Sequence, residues 1–190
     1  MTELSRQTEI IPIEGSIRET VILPEGENRN EWLARGIFHF CQELTWLNGP
    51  MKEFCTDEAC PEMTAGPGFV YLWQDSRTGT PRQVTAPQYI GLLLGWVNKQ
   101  LEDEQIFPAK DSTFPPDFDE IVRNIMKRLF RVYAHFYYHH FGHFTALEID
   151  KHLNTSFQRF IFFVKEFDLL SEEELEPLSD LIAKILAAPG

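Results

Sequence analysis

DFDEIVRNIMKRLFRVYAHFYYHHF, residues 117–141, carries the strongest hydrophobic pattern in the chain. Its apolar side chains recur at steps of three and four residues, which is the spacing of one face of an α-helix. These side chains are Phe118, Ile121, Val122, Ile125, Leu129, Val132 and Phe136. The stretch therefore predicts one long amphipathic helix whose apolar face belongs to the core.

Basic residues lie on the other side of this predicted helix. At about 100° per residue, Arg123, Lys127, Arg128 and Arg131 form a connected band opposite the apolar face. No Asp or Glu occurs between residues 121 and 147, although the whole chain has a formal net charge of -12. Three interpretations are open: a solvated helix surface, pairing with acidic residues of the same chain, or recognition of a phosphate or phosphopeptide by the forked Arg side chains.

The composition fits a single domain. A chain of 190 residues with 43% hydrophobic content can bury one sizeable core. We predict a flexible N-terminal arm over residues 1–20 and one domain over residues 21–190, with residues 19–23 packed as a short extended piece. The acidic net charge argues against nucleic acid as a partner, because phosphate binding needs a dominant positive field, and it favours a basic partner.

Cysteine content and the N-terminal sequence predict the compartment. Three cysteines are too few for a disulfide scaffold, which favours a reducing environment. The polar start MTELSRQTE lacks the features of a signal peptide, and the longest apolar run, residues 89–97, is too short to cross a bilayer. We expect a cytoplasmic protein without a transmembrane segment, with the nucleus as a second compartment.

Capping residues predict further helices on both sides of the central one. The predicted helices span about residues 28–47, 85–101, 154–167 and 171–187. Asn48-Gly49-Pro50 is expected to end the first of them. The aromatic and β-branched residues 69–73, a turn at 76–79 and a return through residues 83–84 predict a small β-hairpin.

Cysteines and histidines offer donors for a metal ion. Cys55 and Cys60 lie in a loop rich in Cys, Pro and Gly, and two thiolates with two imidazoles suit a closed tetrahedral zinc site. On an ideal helix His139 lies about 40° from His135, whereas His140 lies about 140° away, so helix geometry alone favours His139. The alternative is that the cysteines are reduced loop thiols and that the histidines pack as aromatic rings.

No sequence pattern points to catalysis, and we assign no catalytic residue. The chain contains no Gly-rich phosphate loop, no Gly-x-Ser-x-Gly elbow and no His-Glu-x-x-His motif. A zinc-dependent hydrolase is the competing hypothesis, but such an enzyme needs an open metal position, whereas two Cys and two His fill a tetrahedron. A phosphate-binding module without a kinase partner is a third possibility.

Several blocks of the sequence, in one order along the chain, resemble the Mob (Mob/phocein-type) family of kinase-activating adaptors. The blocks are LPEGE-x-x-NEW (23–32), EFC-x-x-x-x-CP-x-M-x-AGP (53–67), AP-x-YI (86–90), KRLFRVYAH (127–135) and HLNTSF-x-x-FIFFV-x-EF (152–167). The resemblance extends from about residue 16 to near the C-terminus. Because the blocks are long and specific, a chance match is excluded.

This resemblance implies a fold and a role. The fold is mainly α, with a four-helix core, a small β-hairpin and one structural zinc ion held by Cys55, Cys60, His135 and His140. The resemblance thus assigns His140 as the fourth ligand, in place of the His139 that ideal helix geometry favours. The implied role is a non-catalytic co-activator that binds the N-terminal regulatory region of an NDR/LATS-type Ser/Thr kinase. It also docks a phosphorylated Ste20-like kinase or scaffold, in Hippo-type signalling and the cell cycle.

The resemblance also implies binding residues. The basic triad of the family, which receives a phosphopeptide, falls on Lys127, Arg128 and Arg131. The kinase-binding surface of the family falls on Glu27, Glu31, Trp32 and His152.

Three features of the sequence depart from the family pattern. His39 stands where kinase-selective members carry an Asp, so the sequence does not name the kinase. A regulatory threonine is missing near Ile11, and a lysine pair is missing near Gly79 and Thr80. Control through phosphorylation of the arm is therefore expected to differ.

Overall fold

The computed structural model of the protein describes residues 16–75, 78–110 and 112–188, and these residues are mainly helical. The α-helices are α1 (Ile17–Val21), α2 (Arg29–Met51), α3 (Ala86–Leu101), α4 (Phe118–His135), α5 (Phe141–Ala146), α6 (Asp150–Glu166), α7 (Glu172–Leu175) and α8 (Ser179–Ala187). A π-helix, Phe136–His140, joins α4 to α5, and a 3-10 turn, Glu176–Leu178, joins α7 to α8. Within the described ranges, no helix has both the length and the apolar character that crossing a membrane requires.

Side-chain caps fix the start of three helices where the sequence predicts them. The side chain of Asn28 accepts a hydrogen bond from the backbone N–H of Glu31, and Thr85 does the same for Gln88. Ser171 and Glu174 form a reciprocal capping box. Each cap satisfies backbone donors that the first helical turn leaves without a partner, so these predicted starts are confirmed.

The core lies between α2, α3, α4 and α6. Helix α2 contacts the other three, and α3 also packs on α4. Between α4 and α6 the contact is aromatic: Tyr133 stands 4.9 Å from Phe160 and 5.3 Å from Phe157 between ring centroids. The predicted apolar face of α4 is buried, except that Ile121 is half-buried. Helix α4 is therefore the central element of the core, as its hydrophobic period indicates.

The segment predicted as a β-hairpin shows only isolated β-bridges among its described residues. Within the described part of residues 64–84, the pairing consists of two isolated bridges, Thr64 with Val70 and Trp73 with Arg82. Trp73 and Arg82 exchange two backbone hydrogen bonds of 2.8 and 2.9 Å, so the chain does reverse direction. The Trp73 ring is buried and packs edge-on against Tyr89 of α3. The segment is thus anchored by its packing on a helix, and a ladder of paired strands does not form.

The start of the described chain also differs from expectation. An extended piece was predicted from residue 19, but residues 17–21 form helix α1, whose Ile17 and Val21 are buried and which packs on α6. Residues 1–15 of the predicted arm, including Ile11, lie outside the described residues. The division into an arm and a domain stays a prediction.

Two predicted helix boundaries are shifted by packing. Helix α2 continues through Pro50 to Met51, because Met51 is fully buried and the proline removes only one backbone donor in the last turn. Helix α6 begins at Asp150, so Asn154 is not a cap. Its side chain is buried and accepts a hydrogen bond of 2.8 Å from the Tyr137 hydroxyl. In both cases tertiary contacts override the local signal.

Candidate metal centre and binding surfaces

The π-helix after α4 changes which histidine faces the cysteines. In a π-helix the backbone bonds run from residue i to i+5, so a side chain five positions on returns to the same face. His140 follows His135 by five positions across the π-helix Phe136–His140, and both rings are buried. The ideal-helix preference for His139 is wrong for this reason: the segment is not an ideal α-helix.

The loop after α2 brings two cysteines to the same place. The backbone N–H of Cys55 bonds to Met51 at the end of α2, and that of Cys60 bonds to Thr56 within the loop. The carbonyl of Cys60 accepts from Ala86, the first residue of α3. Both thiols are buried, and neither forms a disulfide. The loop is thus held by two core helices with its sulfur atoms turned inward.

Two sulfur–nitrogen separations in the four-donor cluster match those of a tetrahedral metal site. Donor atoms of Cys55, Cys60, His135 and His140 all lie within 4.8 Å of one another. The distance from Sγ to Nε2 is 3.5 Å for Cys55 and His135, and again 3.5 Å for Cys60 and His140. A tetrahedral zinc ion with usual bond lengths would set a sulfur and a nitrogen ligand about 3.5–3.6 Å apart. The residues therefore fit zinc in number, chemistry and spacing.

Neighbouring groups orient both imidazoles. The Nδ1–H of His135 donates to the Thr64 carbonyl at 2.8 Å, which leaves Nε2 as the metal-facing atom. Nδ1 of His140 lies 3.1 Å from Nδ1 of His143, and the His143 ring stacks on Phe54 at 4.1 Å. Nε2 of His139 is 2.6 Å from the Thr64 hydroxyl, outside the cluster. These contacts hold the rings in place before a metal binds.

Burial sets the protonation of the four donors in the metal-free protein. It lowers the pKa of His135 to about 3 and that of His140 to about 4. Burial also raises the pKa of Cys55 to about 12 and raises that of Cys60 above its usual value. At neutral pH the imidazoles are ready to bind a cation, whereas the thiols must lose protons to do so.

The predicted basic triad lies on α4, but it is more enclosed than a surface band. The guanidinium of Arg128 lies 4.4 Å from the ring centroid of Trp96 and 4.8 Å from that of Trp73. Arg131 lies 4.7 Å from the Tyr71 ring and donates a hydrogen bond of 2.8 Å to the Tyr89 hydroxyl. Lys127 is half-buried beside them. Aromatic packing therefore fixes both arginines while leaving their positive charges available.

Acidic partners do not neutralise the triad. Among the described residues, no ion pair includes Lys127, Arg128 or Arg131. Burial lowers the pKa of Arg128, and its Nη1 nitrogen is buried without a hydrogen-bond partner. The described residues thus provide no ion pair that supports the interpretation of the band as internal charge pairing.

The predicted kinase-binding residues separate into two groups. Glu27, Glu31 and Trp32 lie at the start of α2, where the Trp32 indole N–H donates to the Val21 carbonyl at 3.0 Å. His152 lies on α6 and contacts Trp46, with 5.3 Å between ring centroids. Fourteen residues of helix separate Trp32 from Trp46, which corresponds to about 21 Å. The structure thus does not bring His152 together with the other three.

A stripe of side chains along α2 connects the two groups. Trp32, His39 and Trp46 follow one another at seven-residue steps and lie on the same side of the helix. Arg159 of α6 bonds to the Glu43 carboxylate at 2.9 Å, and His39 lies 3.0 Å from the same carboxylate. Trp46 is 57% exposed. Trp46 and Arg159 were not predicted from the sequence, although a seven-residue step links Trp46 to His39 and His39 to Trp32.

A cavity lies beside this stripe where α1, α2 and α6 meet. Its volume is about 250 Å³, and Trp32, Gly36, Phe40 and Phe163 are among the residues that line it. A Cβ atom at Gly36 would stand 2.4 Å from the Phe163 ring, so the glycine permits the close contact of α2 with α6. Arg35, His39 and Arg159 also line the cavity, so this part of α2 offers an aromatic concave surface with basic side chains in its wall.

Comparisons with known proteins agree on one family. The model of the Mob1/phocein family matches residues 10–178. MOB kinase activator-like 1B of Arabidopsis thaliana is 48% identical over 175 residues, which cover 91% of this chain and 81% of that protein. Maintenance of ploidy protein mob1 of Schizosaccharomyces pombe is 43% identical over 170 residues, or 88% of this chain and 81% of that protein.

Proposed function

The chain belongs to the Mob1/phocein family, whose members are kinase activators and adaptors and not enzymes, and we propose that it activates an NDR/LATS-type Ser/Thr kinase by binding its N-terminal regulatory region. We further propose that it docks a phosphopeptide of an upstream Ste20-like kinase or scaffold. It would act in the cytoplasm and nucleus, in Hippo-type signalling and the cell cycle.

The proposed cofactor is one structural zinc ion bound by Cys55, Cys60, His135 and His140. Four protein donors complete a tetrahedron, so the ion would tie the loop after α2 to the π-helix and would leave no position for a substrate or an activated water. This arrangement supports a structural metal and argues against the competing zinc hydrolase.

The concave surface at the start of α2 is the observation that carries the kinase proposal. Glu27 is exposed and Glu31 half-exposed near the start of α2, and the Trp32 ring that follows them in the chain lines the 250 Å³ cavity. The carboxylates would accelerate association with a basic helix, and apolar side chains of that helix would fill the cavity. His152 and Trp46 would receive the far part of the same segment.

The phosphopeptide proposal rests on the enclosed triad. Arg128 and Arg131 are held by aromatic rings before a ligand arrives, which lowers the ordering cost of binding. The buried Nη1 of Arg128 lacks an acceptor that a phosphate oxygen would supply. A phosphothreonine or phosphoserine suits these donors in both charge and geometry.

Calorimetric titration of NDR/LATS-type regulatory segments into the purified protein tests the kinase proposal. We expect binding that Glu27→Lys/Trp32→Ala weakens by at least about 30-fold, more in low salt, because the variant removes an aromatic anchor and reverses a charge. Glu58→Lys, at an exposed position in the loop beyond the other end of α2, is the charge-matched control and should bind like wild type.

Equal affinity of wild type and Glu27→Lys/Trp32→Ala for every segment that binds would rule out this surface. Absence of binding to any such segment would reject the kinase class.

A further inference from the structure

A histidine outside the four metal donors contacts one of them. His143 follows His140 by three positions, across the junction of the π-helix with α5, and side chains at that spacing are neighbours on a helix. Their Nδ1 atoms are 3.1 Å apart, which is a hydrogen-bond distance, and the ring centroids are 5.3 Å apart. Because His143 is not a member of the donor cluster, this contact must serve another purpose than binding the ion.

Metal binding decides which of the two nitrogen atoms donates. An ion bound by Nε2 of His140 uses the lone pair of that atom, so the single proton of the ring is on Nδ1. Nδ1 of His140 is then the hydrogen-bond donor, and Nδ1 of His143 is the acceptor. The proton of the neutral His143 ring is accordingly on Nε2. The contact therefore requires one particular tautomer of each ring when His140 binds an ion.

The two histidine donors differ in the acceptors that orient them. Nδ1 of His135 donates to the backbone carbonyl of Thr64 at 2.8 Å, and any residue at position 64 would supply that oxygen. The acceptor for His140 is a side chain instead, so a single substitution removes it. Partners of this kind hold a metal-binding imidazole in its orientation and increase its basicity. His140 is thus the histidine donor whose orientation depends on another side chain.

The ring of His143 is held in turn by the cysteine loop. It stacks on Phe54, with 4.1 Å between the ring centroids and 12° between the ring planes. Phe54 directly precedes Cys55, whose backbone N–H bonds to Met51 at the end of α2. The stack therefore connects the orientation of the His143 ring to the loop that carries both thiols.

We propose that His143 is a positioning residue of the zinc site, which accepts the Nδ1–H of His140 and thereby increases the affinity for zinc without binding the ion itself. This inference rests on the proposed structural zinc ion. Loss of a partner of this kind typically lowers metal affinity by about 10- to 100-fold. Removal of the acceptor at position 143 should therefore weaken zinc binding by at least about 10-fold.

Two substitutions of His143 separate the role of an acceptor from the role of a packed ring. His143→Phe keeps an aromatic ring that can stack on Phe54 but cannot accept a hydrogen bond. His143→Asn loses the ring and keeps an acceptor oxygen close to the place of Nδ1. In competition with a zinc chelator, we expect His143→Phe to bind zinc at least about 10-fold more weakly than wild type, and His143→Asn to stay within about threefold of wild type.

A matched control and a direct measurement accompany these variants. His39→Phe makes the same change on α2, beside Glu43 and outside the donor cluster, and should bind zinc like wild type. Nitrogen-15 NMR of histidine-labelled wild-type protein with bound zinc, at pH 8, reports the tautomers without any substitution. We expect a protonated Nδ1 in His140 and an unprotonated Nδ1 in His143.

The outcomes separate this inference from the zinc site on which it rests. Equal zinc affinity of wild type and His143→Phe would overturn the inference alone, and so would a loss in His143→Asn as large as that in His143→Phe. A proton on Nδ1 of His143 in the zinc-bound protein would also overturn it. Absence of a stoichiometric zinc ion from the wild-type protein would overturn the proposed structural metal and the inference with it.

Discussion

The protonation of Cys55 and Cys60 predicts how metal affinity depends on pH. The pKa of both thiols is raised in the metal-free protein, whereas the pKa values of His135 and His140, about 3 and 4, keep these rings neutral above pH 6. Binding therefore releases protons from the thiols only. Between pH 6 and 8 the zinc affinity should rise with pH by up to about 100-fold per unit, since two protons leave per ion.

Competition with a zinc chelator at pH 6, 7 and 8 measures this slope. Cys41 is also a buried free thiol, but it lies outside the cluster, so Cys41→Ala should show the same slope as wild type. A zinc affinity that does not change over this range would contradict the assignment of two thiolate ligands.

Residues of the triad should differ in their effect on stability, although all three are proposed to bind phosphate. Arg128 packs on two indole rings, so Arg128→Ala should lower the free energy of unfolding by about 1–2 kcal/mol. Lys127 has no such contact, and Lys127→Ala should change the free energy of unfolding by less than about 0.5 kcal/mol. Urea denaturation compares them. Equal stabilities of the two variants would show that the aromatic contacts of Arg128 contribute nothing.

The π-helix is an element whose role can be tested by deletion. A π-turn contains one residue more than an α-turn, so deletion of the half-exposed Tyr138 should convert it to α-helix and place His140 four positions after His135, about 40° away. The variant should keep one zinc per chain and lose only the packing of the Tyr138 ring over Gly66.

Deletion of Arg123, an exposed residue inside regular α4, is the matched control for the Tyr138 deletion. It rotates every later side chain of the helix by about 100° relative to the preceding core, and should abolish both zinc binding and cooperative unfolding. Loss of zinc in the Tyr138 deletion, with cooperative unfolding retained, would contradict this account of the π-helix.

Capping residues in the sequence predicted three helix starts correctly, and they failed where tertiary packing determines the boundary of the helix. Asn28, Thr85 and Ser171 cap helices because their side chains bond to backbone donors within three residues. Asn154 carries the same signal, but it lies inside α6, where the Tyr137 hydroxyl takes up its side-chain oxygen. The hydrophobic period did not predict the π-helix. Residues 136–141 are all aromatic or His, so their pattern looks the same with or without the extra residue of a π-turn.

At the scale of the molecule, helix α4 links the proposed sites. Its last residue is His135 of the donor cluster, its middle carries the basic triad, and its opposite side packs on α2, whose start bears Glu31 and Trp32. The charge pattern indicated the basic band that contains the triad, whereas the choice of His140 over His139 and the kinase surface came from the family resemblance. Spacing in the sequence does not reveal which loops meet across the core, and so it could not supply these.

Kinase activation tests the central claim most directly. A purified NDR/LATS-type kinase that retains its N-terminal regulatory region is assayed for phosphorylation of a peptide substrate, alone and with this protein. The account predicts that the protein increases the rate, that Glu27→Lys/Trp32→Ala does not, and that Lys127→Ala still does, because the triad serves a different partner. An unchanged rate for every kinase of this class, with wild-type protein that holds one zinc ion and is fully folded, would contradict it.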